Sequence, residues 1–264
     1  MMMLELDEAG IVIDGKHILR GISLCADKGQ FIGLLGPNGS GKSTLLRTMA
    51  GLRHTSSGRI LVAGRPLDTY SRKPLARLIS YVPQDTRLDF AFRVREVVLM
   101  GRHPHVSRFR GIGQRDRLAS EQAMDLCGVR PLADRLVTDL SGGQRQMVMI
   151  AKALAQEPQL LLLDEPISAL DIRHQLRLLA LIRKLTASGV TAVAALHDLN
   201  LAARFCDRLA LLHKGTIIGQ GTPEQVLTPA SVLAAYGVQS VVRPDPQLGC
   251  LSVTAIGETE LSYL

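Results

Sequence analysis

The apolar residues of this chain gather in short unbroken runs, separated by longer stretches of mixed character. Residues 31–35, 160–163 and 191–196 are the clearest of these runs. Short runs without alternation suit strands that are covered on both faces, as in a parallel sheet. Stretches long enough for helices lie between them. One helix fits 42–50, stopped by Gly51, and another fits 145–156. Near the start the pattern changes. Residues 4–24 and 59–63 read as short strands, with turns at Asp14-Gly15 and Gly64. The middle, 87–156, reads as mostly helical, and Thr222-Pro223-Glu224 is a helix-start signal. Alternating strands and helices predict an α/β fold with a mostly parallel sheet core and an N-terminal β part.

Each of the three runs ends in polar residues. In open α/β sheets, ligands bind beyond the carboxyl ends of the strands, so the three ends converge on one candidate site. The first run opens into Gly36-Pro37-Asn38-Gly39-Ser40-Gly41-Lys42-Ser43, followed by Thr44. This is the G-x-x-x-x-G-K-[ST] spacing, with a strand before it and a helix after it. Glycines let successive backbone N–H groups turn inward around phosphates, and the helix N-terminus adds partial positive charge. Lys42 can reach β- and γ-phosphates, and the Ser43 hydroxyl suits Mg²⁺. The second run ends at Asp164-Glu165. Asp164 would hold the metal directly or through water, and Glu165 would orient or deprotonate an attacking water. Acids at a strand end also serve as helix caps. In Leu140-Ser141-Gly142-Gly143-Gln144, Ser141 is a good N-cap and two glycines leave backbone N–H groups uncovered. On chemistry alone this is equally an ordinary capped helix start. The third run precedes His197, and a lone histidine at a strand end is more often structural than catalytic.

Composition narrows the classes. At 264 residues and 46% apolar, the chain can bury a sizeable core in one or two domains of about 150 residues. That excludes disordered, collagen-like and disulfide-scaffold chains. No apolar run approaches the roughly 18 residues of a membrane helix, and the first ten residues carry no signal-peptide pattern. Cys25, Cys127, Cys206 and Cys250 stand far apart, which predicts free thiols in a reducing compartment and no zinc site. With 3% aromatics and no Trp, a base-stacking nucleic-acid platform is disfavoured. The formal charge is +7, which permits an anionic partner without demanding one. Most of that excess lies in 93–117, where seven arginines face Glu96 and Asp116, a local balance of +5. This stretch reads either as a surface near a membrane partner or acidic headgroups, or as a solvated helix face; charge reversal at Arg108 and Arg110 separates the two. His103 and His105 lack a third metal ligand, and Met147 and Met149 read as helix packing.

Taken together, the phosphate loop, Gln84 in Tyr81-Val82-Pro83-Gln84, the 140–144 signature, the strand ending at Asp164-Glu165, Ser168-Ala169-Leu170-Asp171 and His197 resemble the ATP-binding subunits of ABC transporters, in that family's order. The resemblance covers about residues 4–242. It implies a P-loop ABC-type ATPase: one ATP-binding domain over 1–264, with a helical subdomain at about 87–156 that carries the signature and a C-terminal appendage at about 222–264. ATP and Mg²⁺ are the implied substrate and cofactor. The implied assembly is a head-to-tail homodimer that sandwiches two ATP molecules. Ser141, Gly142, Gly143 and Gln144 would then meet the γ-phosphate held by the partner's loop. Gln84 would contact Mg²⁺ and sense a membrane partner, Asp171 would couple the two sites, and His197 would hold the γ-phosphate and water in line. At the family's adenine-stacking aromatic this chain has Ile13, placed by its spacing to Ile18-Leu19, which implies weak discrimination between ATP and GTP.

Two softer stretches, Phe90-Ala91-Phe92-Arg93-Val94-Arg95-Glu96-Val97-Val98 and Met100-Gly101-Arg102-His103-Pro104-His105, resemble the branch that serves iron-siderophore, haem and cobalamin importers. So do Gly221-Thr222-Pro223-Glu224-Gln225-Val226-Leu227 and Tyr236-Gly237-Val238 in the tail. The branch implies integral membrane permease subunits, an indirect link to an external substrate-binding protein, a place on the cytoplasmic face of the inner membrane and no nucleic acid. Two other readings stay open. One is a soluble ABC-type ATPase acting on nucleic acid or ribosomes, disfavoured by the single cassette and the lack of a heptad insertion. The other is a degenerate cassette that binds ATP without hydrolysing it.

Overall fold

The computed structural model describes residues 1–86, 90–106 and 111–258. Two long strands open the chain. β1 (Met2–Ile13) and β2 (Lys16–Asp27) pair antiparallel across Asp14-Gly15, both of which take positive φ (49° and 75°), as a tight hairpin turn requires. β3 (Phe31–Leu35) then leaves this sheet for a second one, and α1 (Lys42–Met49) follows it. β4 (Ser57–Val62) and β5 (Arg65–Pro66) return to complete a four-stranded antiparallel sheet in the order β2-β1-β4-β5. α2 (Arg72–Leu78) leads into β6 (Ile79–Val82). Three helices come next: α3 (Val94–Met100), α4 (Gln114–Cys127) and α5 (Gly142–Ala155). The chain re-enters the second sheet as β7 (Leu160–Asp164), α6 (Ile172–Ala187), β8 (Thr191–Ala195), α7 (Leu199–Phe205), β9 (Arg208–His213) and β10 (Thr216–Gly221). It closes with α8 (Pro223–Val226), α9 (Pro229–Tyr236) and a hairpin of β11 (Val238–Asp245) and β12 (Cys250–Glu258).

The second sheet has the order β10-β9-β3-β8-β7-β6. Its neighbours run parallel, apart from the edge strand β10, which turns back on β9. β3, β7 and β8 are buried at every position, the outcome expected of unbroken apolar runs. Alternate side chains feed two cores. Ile32, Leu34, Leu160, Leu162 and Val193 pack toward α1 and the antiparallel sheet. Phe31, Leu35, Leu161, Leu163 and Ala194 pack toward the helices that include α3, α5 and α6. Each fully buried leucine contributes about 1.5–3 kcal/mol. The carboxyl ends of β3, β7 and β8 therefore lie side by side on a rigid base.

Several boundaries differ from the sequence reading. The helix expected over 42–50 ends at Met49, and Ala50 is its C-cap. The strand expected over 191–196 ends at Ala195. The helix expected from Arg145 begins at Gly142. Ser141 and Gln144 cap each other, with Gln144 N–H donating to Ser141 Oγ (3.2 Å) and Ser141 N–H to Gln144 Oε1 (3.1 Å), which draws both glycines into the first turn. It stops at Ala155, and the Gln156 side chain donates instead to the carbonyls of Ala76 and Ile79. The helix signalled at Thr222 is only four residues long, and the β11–β12 hairpin gave no signal.

The basic stretch is only partly a free surface. Arg93 and Arg95 engage Asp134. Arg102 is 1% exposed and reaches Asp116 (3.1 Å), Glu157 (2.7 Å) and the Ala155 carbonyl (2.6 Å). Arg108 and Arg110 lie outside the described residues. His105 Nε2 bonds the Gln156 carbonyl at 2.8 Å, and among the described residues no three His, Cys, Asp or Glu side chains cluster as a metal site. The four cysteines are free, and Met147 is buried. Among the described residues no helix is long and apolar enough to cross a membrane.

Candidate functional site

The site starts where β3 ends. Gly36 has φ 143°, and a Cβ there would lie 2.2 Å from the Leu212 carbonyl oxygen, so the loop can leave the sheet at this point only through glycine. Gly41, left-handed at φ 107°, turns the chain into α1. The loop rims an open cavity of about 640 Å³, lined by residues 38–44 together with Ile18, Gln84, Glu165 and His197. Lys42 is nearly buried, and its Nζ donates to the carbonyls of Gly36 (2.7 Å) and Pro37 (3.0 Å). Burial holds its pKa below the ordinary lysine value, against the pull of Glu165 and Asp164. The Ser40 hydroxyl is shut off from solvent and finds no partner among the described residues.

Asp164 ends β7 fully buried. Its Oδ1 accepts from Ser43 Oγ (2.9 Å) and its Oδ2 from the Tyr81 hydroxyl (3.1 Å). Arg47 Nε in turn donates to the Tyr81 oxygen at 3.4 Å, and burial raises the pKa of the Tyr81 phenol. Glu165 takes the left-handed conformation at φ 50°, rare for a residue with a side chain and costing about 1 kcal/mol or more. The turn points its carboxylate back over the loop. Gln84 Nε2 donates to Glu165 Oε2 (2.8 Å), and His197 Nε2 lies 2.7 Å from Glu165 Oε1. The strand-end acids do not cap the following helix. Asp171 does so, accepting at Oδ1 from the His174 N–H (2.9 Å), and that bond holds its carboxyl below the usual carboxylate range.

Sequence reasoning thus names residues that the fold brings together: 38–44, Gln84, Asp164, Glu165 and His197. It missed Tyr81, which stood in a quoted motif but whose partner is 83 positions away. Ser141, Gly142, Gly143, Gln144 and Asp171 lie elsewhere, around a groove of about 590 Å³ between α5 and α6 that shares no lining residue with the first cavity. Ile13 is half-buried at the end of β1, and the aliphatic side chain at the cavity mouth is Ile18.

One buried carboxylate beside a hydroxyl offers hard oxygen donors. Mg²⁺ binds in such surroundings through one or two carboxylates with phosphates completing its shell, so the residues present fit that ion. A loop with phosphate-binding spacing, hard oxygen donors beside it and a carboxylate held above both fit a phosphate-loop nucleotide-binding protein. The chain belongs to the ABC transporter family, whose model matches residues 19–168. A cobalamin import ATP-binding protein, BtuD of Halobacterium salinarum, is 44% identical over 256 residues; the match takes in 97% of this chain but only 64% of that protein. A hemin import ATP-binding protein, HmuV of Gloeobacter violaceus, is 42% identical, with 98% of this chain and 96% of the relative covered. A solved structure described as an inward-facing conformation of a metal-chelate type ABC transporter superposes with a TM-score of 0.85 at 30% identity, covering 98% of this chain and 99% of the other.

Proposed function

We propose that this chain is the ATP-hydrolysing subunit that powers import of a metal chelate, such as an iron-siderophore, haem or cobalamin, through a membrane permease. One observation carries the ATPase reading: Gln84 and His197 converge on Glu165 over the phosphate-loop cavity. The chelate class is supported by the relatives' names.

In this reading the backbone N–H groups of 38–44 receive the phosphates, and Lys42 keeps its bond to the Gly36 carbonyl while turning its other donors to phosphate oxygens. Ser43, Gln84 and Asp164 would hold Mg²⁺, which when bound neutralises phosphate charge. Glu165 takes a proton from the attacking water. As that water's oxygen bonds to the γ-phosphorus, the bond to the β–γ bridging oxygen breaks, leaving ADP and phosphate. Gln84 and His197 fix the carboxylate, and His197 keeps water and γ-phosphate in line. A second copy of the chain, packed head to tail, brings Ser141, Gly142, Gly143 and Gln144 to the γ-phosphate, with Asp171 coupling the sites. The uncovered amides at the start of α5 then have an anion to meet. The helices α3–α5 form the subdomain that carries this signature, and residues from 222 onward are an appendage. The subunit sits on the cytoplasmic face of the inner membrane as a peripheral protein, and an external binding protein delivers the chelate to the permease.

The test is purification of tagged Glu165→Gln protein with ATP from gently solubilised native membranes. A polytopic permease is expected in equal amounts, with ATP retained and turnover lowered at least about 100-fold. Recovery of nucleic acid, ribosomes or soluble proteins alone rejects the transport reading. Normal turnover rejects Glu165 as the base.

A further inference from the structure

Tyr236 closes α9 near the far end of the chain, yet its hydroxyl lies at the root of the phosphate loop. The ring packs against the larger core. The hydroxyl oxygen is shut off from solvent and, among the described residues, meets no group in full hydrogen-bonding geometry. The polar group it faces is the backbone N–H of Gly36; burial pushes the phenol up to about 12, and that amide works against the shift. The hydroxyl is therefore protonated at any physiological pH.

Gly36 is the most crowded glycine of the loop. Its Cα has no room for a side chain against Leu212, and its carbonyl holds Lys42 Nζ at 2.7 Å. Tyr236 thus faces the N–H of the residue whose carbonyl holds Lys42. The position of α9 is fixed from the same strand: His213, next to Leu212 on β9, bonds the Ala235 carbonyl through Nδ1 at 3.0 Å. A second contact ties the tail to the site. Asn200, three residues after His197, donates from Nδ2 to the Val253 carbonyl (3.2 Å) and accepts the Val253 N–H at Oδ1 (2.7 Å) on β12.

A buried hydroxyl without a full partner is rare and costly, and phenylalanine would serve packing alone. We propose that Tyr236 is a positioning residue for the nucleotide site. Its hydroxyl accepts from the Gly36 N–H as the loop draws around phosphates, which fixes the Gly36 carbonyl and, through it, Lys42. The C-terminal segment then holds the site at both ends: the phosphate loop through Tyr236, and the turn carrying His197 through Asn200. This inference rests on the phosphate loop being the ATP site.

Full-length Tyr236→Phe tests it. ATP affinity is titrated on the subunit, the Gly36 amide is followed by nitrogen-15 NMR, and ATPase kinetics are measured in the assembled transporter. The Kd and the KM for ATP should rise about fivefold, the worth of one hydrogen bond. The kcat should stay within about twofold, the melting temperature should hold or rise, and the Gly36 resonance should move. An unchanged Kd and an unmoved Gly36 resonance overturn the proposal. A lowered melting temperature with kcat and KM both impaired assigns Tyr236 to general packing and overturns it as well. If the unmodified protein fails to bind ATP while remaining folded, the reading of the phosphate loop itself falls, an outcome separate from either of these.

Discussion

Lys42 shows how function and stability pull apart at a single residue. Its ammonium is nearly buried, its pKa is lowered chiefly by that burial, and two carbonyls are its hydrogen-bond partners. A charge kept in such a place opposes folding. Lys42→Ala should therefore weaken ATP binding by about 10- to 100-fold, the loss of charge-assisted bonds to phosphate, while the melting temperature stays level or rises. Calorimetric titration and a thermal scan on the same preparation check both halves. In the sequence the spacing of the phosphate-loop motif picks out Lys42 and Ser43, and the acids that end an apolar run pick out Asp164 and Glu165; the fold brings the four together. Tyr81 and Tyr236 were not legible there, because each meets the site through a partner far along the chain. A tyrosine in a buried strand or helix reads as packing until that partner is known.

Among the elements, Arg102 draws the helices together. It follows α3, its guanidinium reaches Asp116 in the first turn of α4, and it also meets Ala155 and Glu157 at the end of α5. In sequence it counted toward a basic stretch and toward the 100–105 stretch that resembles the importer branch. Buried and paired, it organises the helices that carry the signature groove. Removing one partner of such a set leaves the others desolvated. Arg102→Met should lower the unfolding free energy by roughly 3 kcal/mol, read from urea denaturation, whereas Arg117→Met on the exposed side of α4 should change it by less than about 0.5 kcal/mol. Element types were legible wherever apolar runs were unbroken. Boundaries slipped where side-chain caps decide them, as at Ser141 and Gln144. The terminal hairpin escaped because Pro244 lies within β11 and β12 is exposed along its second half, both of which weaken a strand reading.

For the whole molecule, two buried thiols and a buried phenol hydroxyl set an alkaline limit. Burial raises the Cys127 thiol from 9.0 to about 12 and the Tyr236 phenol from 10.0 to about 12, and it raises the Cys206 thiol further. The folded chain holds these protons more tightly than the unfolded chain does. The stability they contribute is complete below about pH 9 and is lost as pH climbs from 9 toward 12. Urea midpoints at about pH 8 and about pH 10.5 should differ markedly, and Cys127→Ala, less stable at the lower pH, should show the flatter profile. At this scale the parallel sheet and the shared strand ends were legible from hydropathy and spacing, whereas the separation of the two cavities needed the fold. In the head-to-tail pair proposed above, that separation has a consequence for mixtures. Preparations broken only at Lys42, or only at Ser141, should each be inactive, since every pairing within such a preparation repeats the same fault. Combined, they should regain activity, because one junction in each mixed pair joins a sound loop to a sound signature. Two dead proteins would make a live one, and a chain that worked alone would not behave this way.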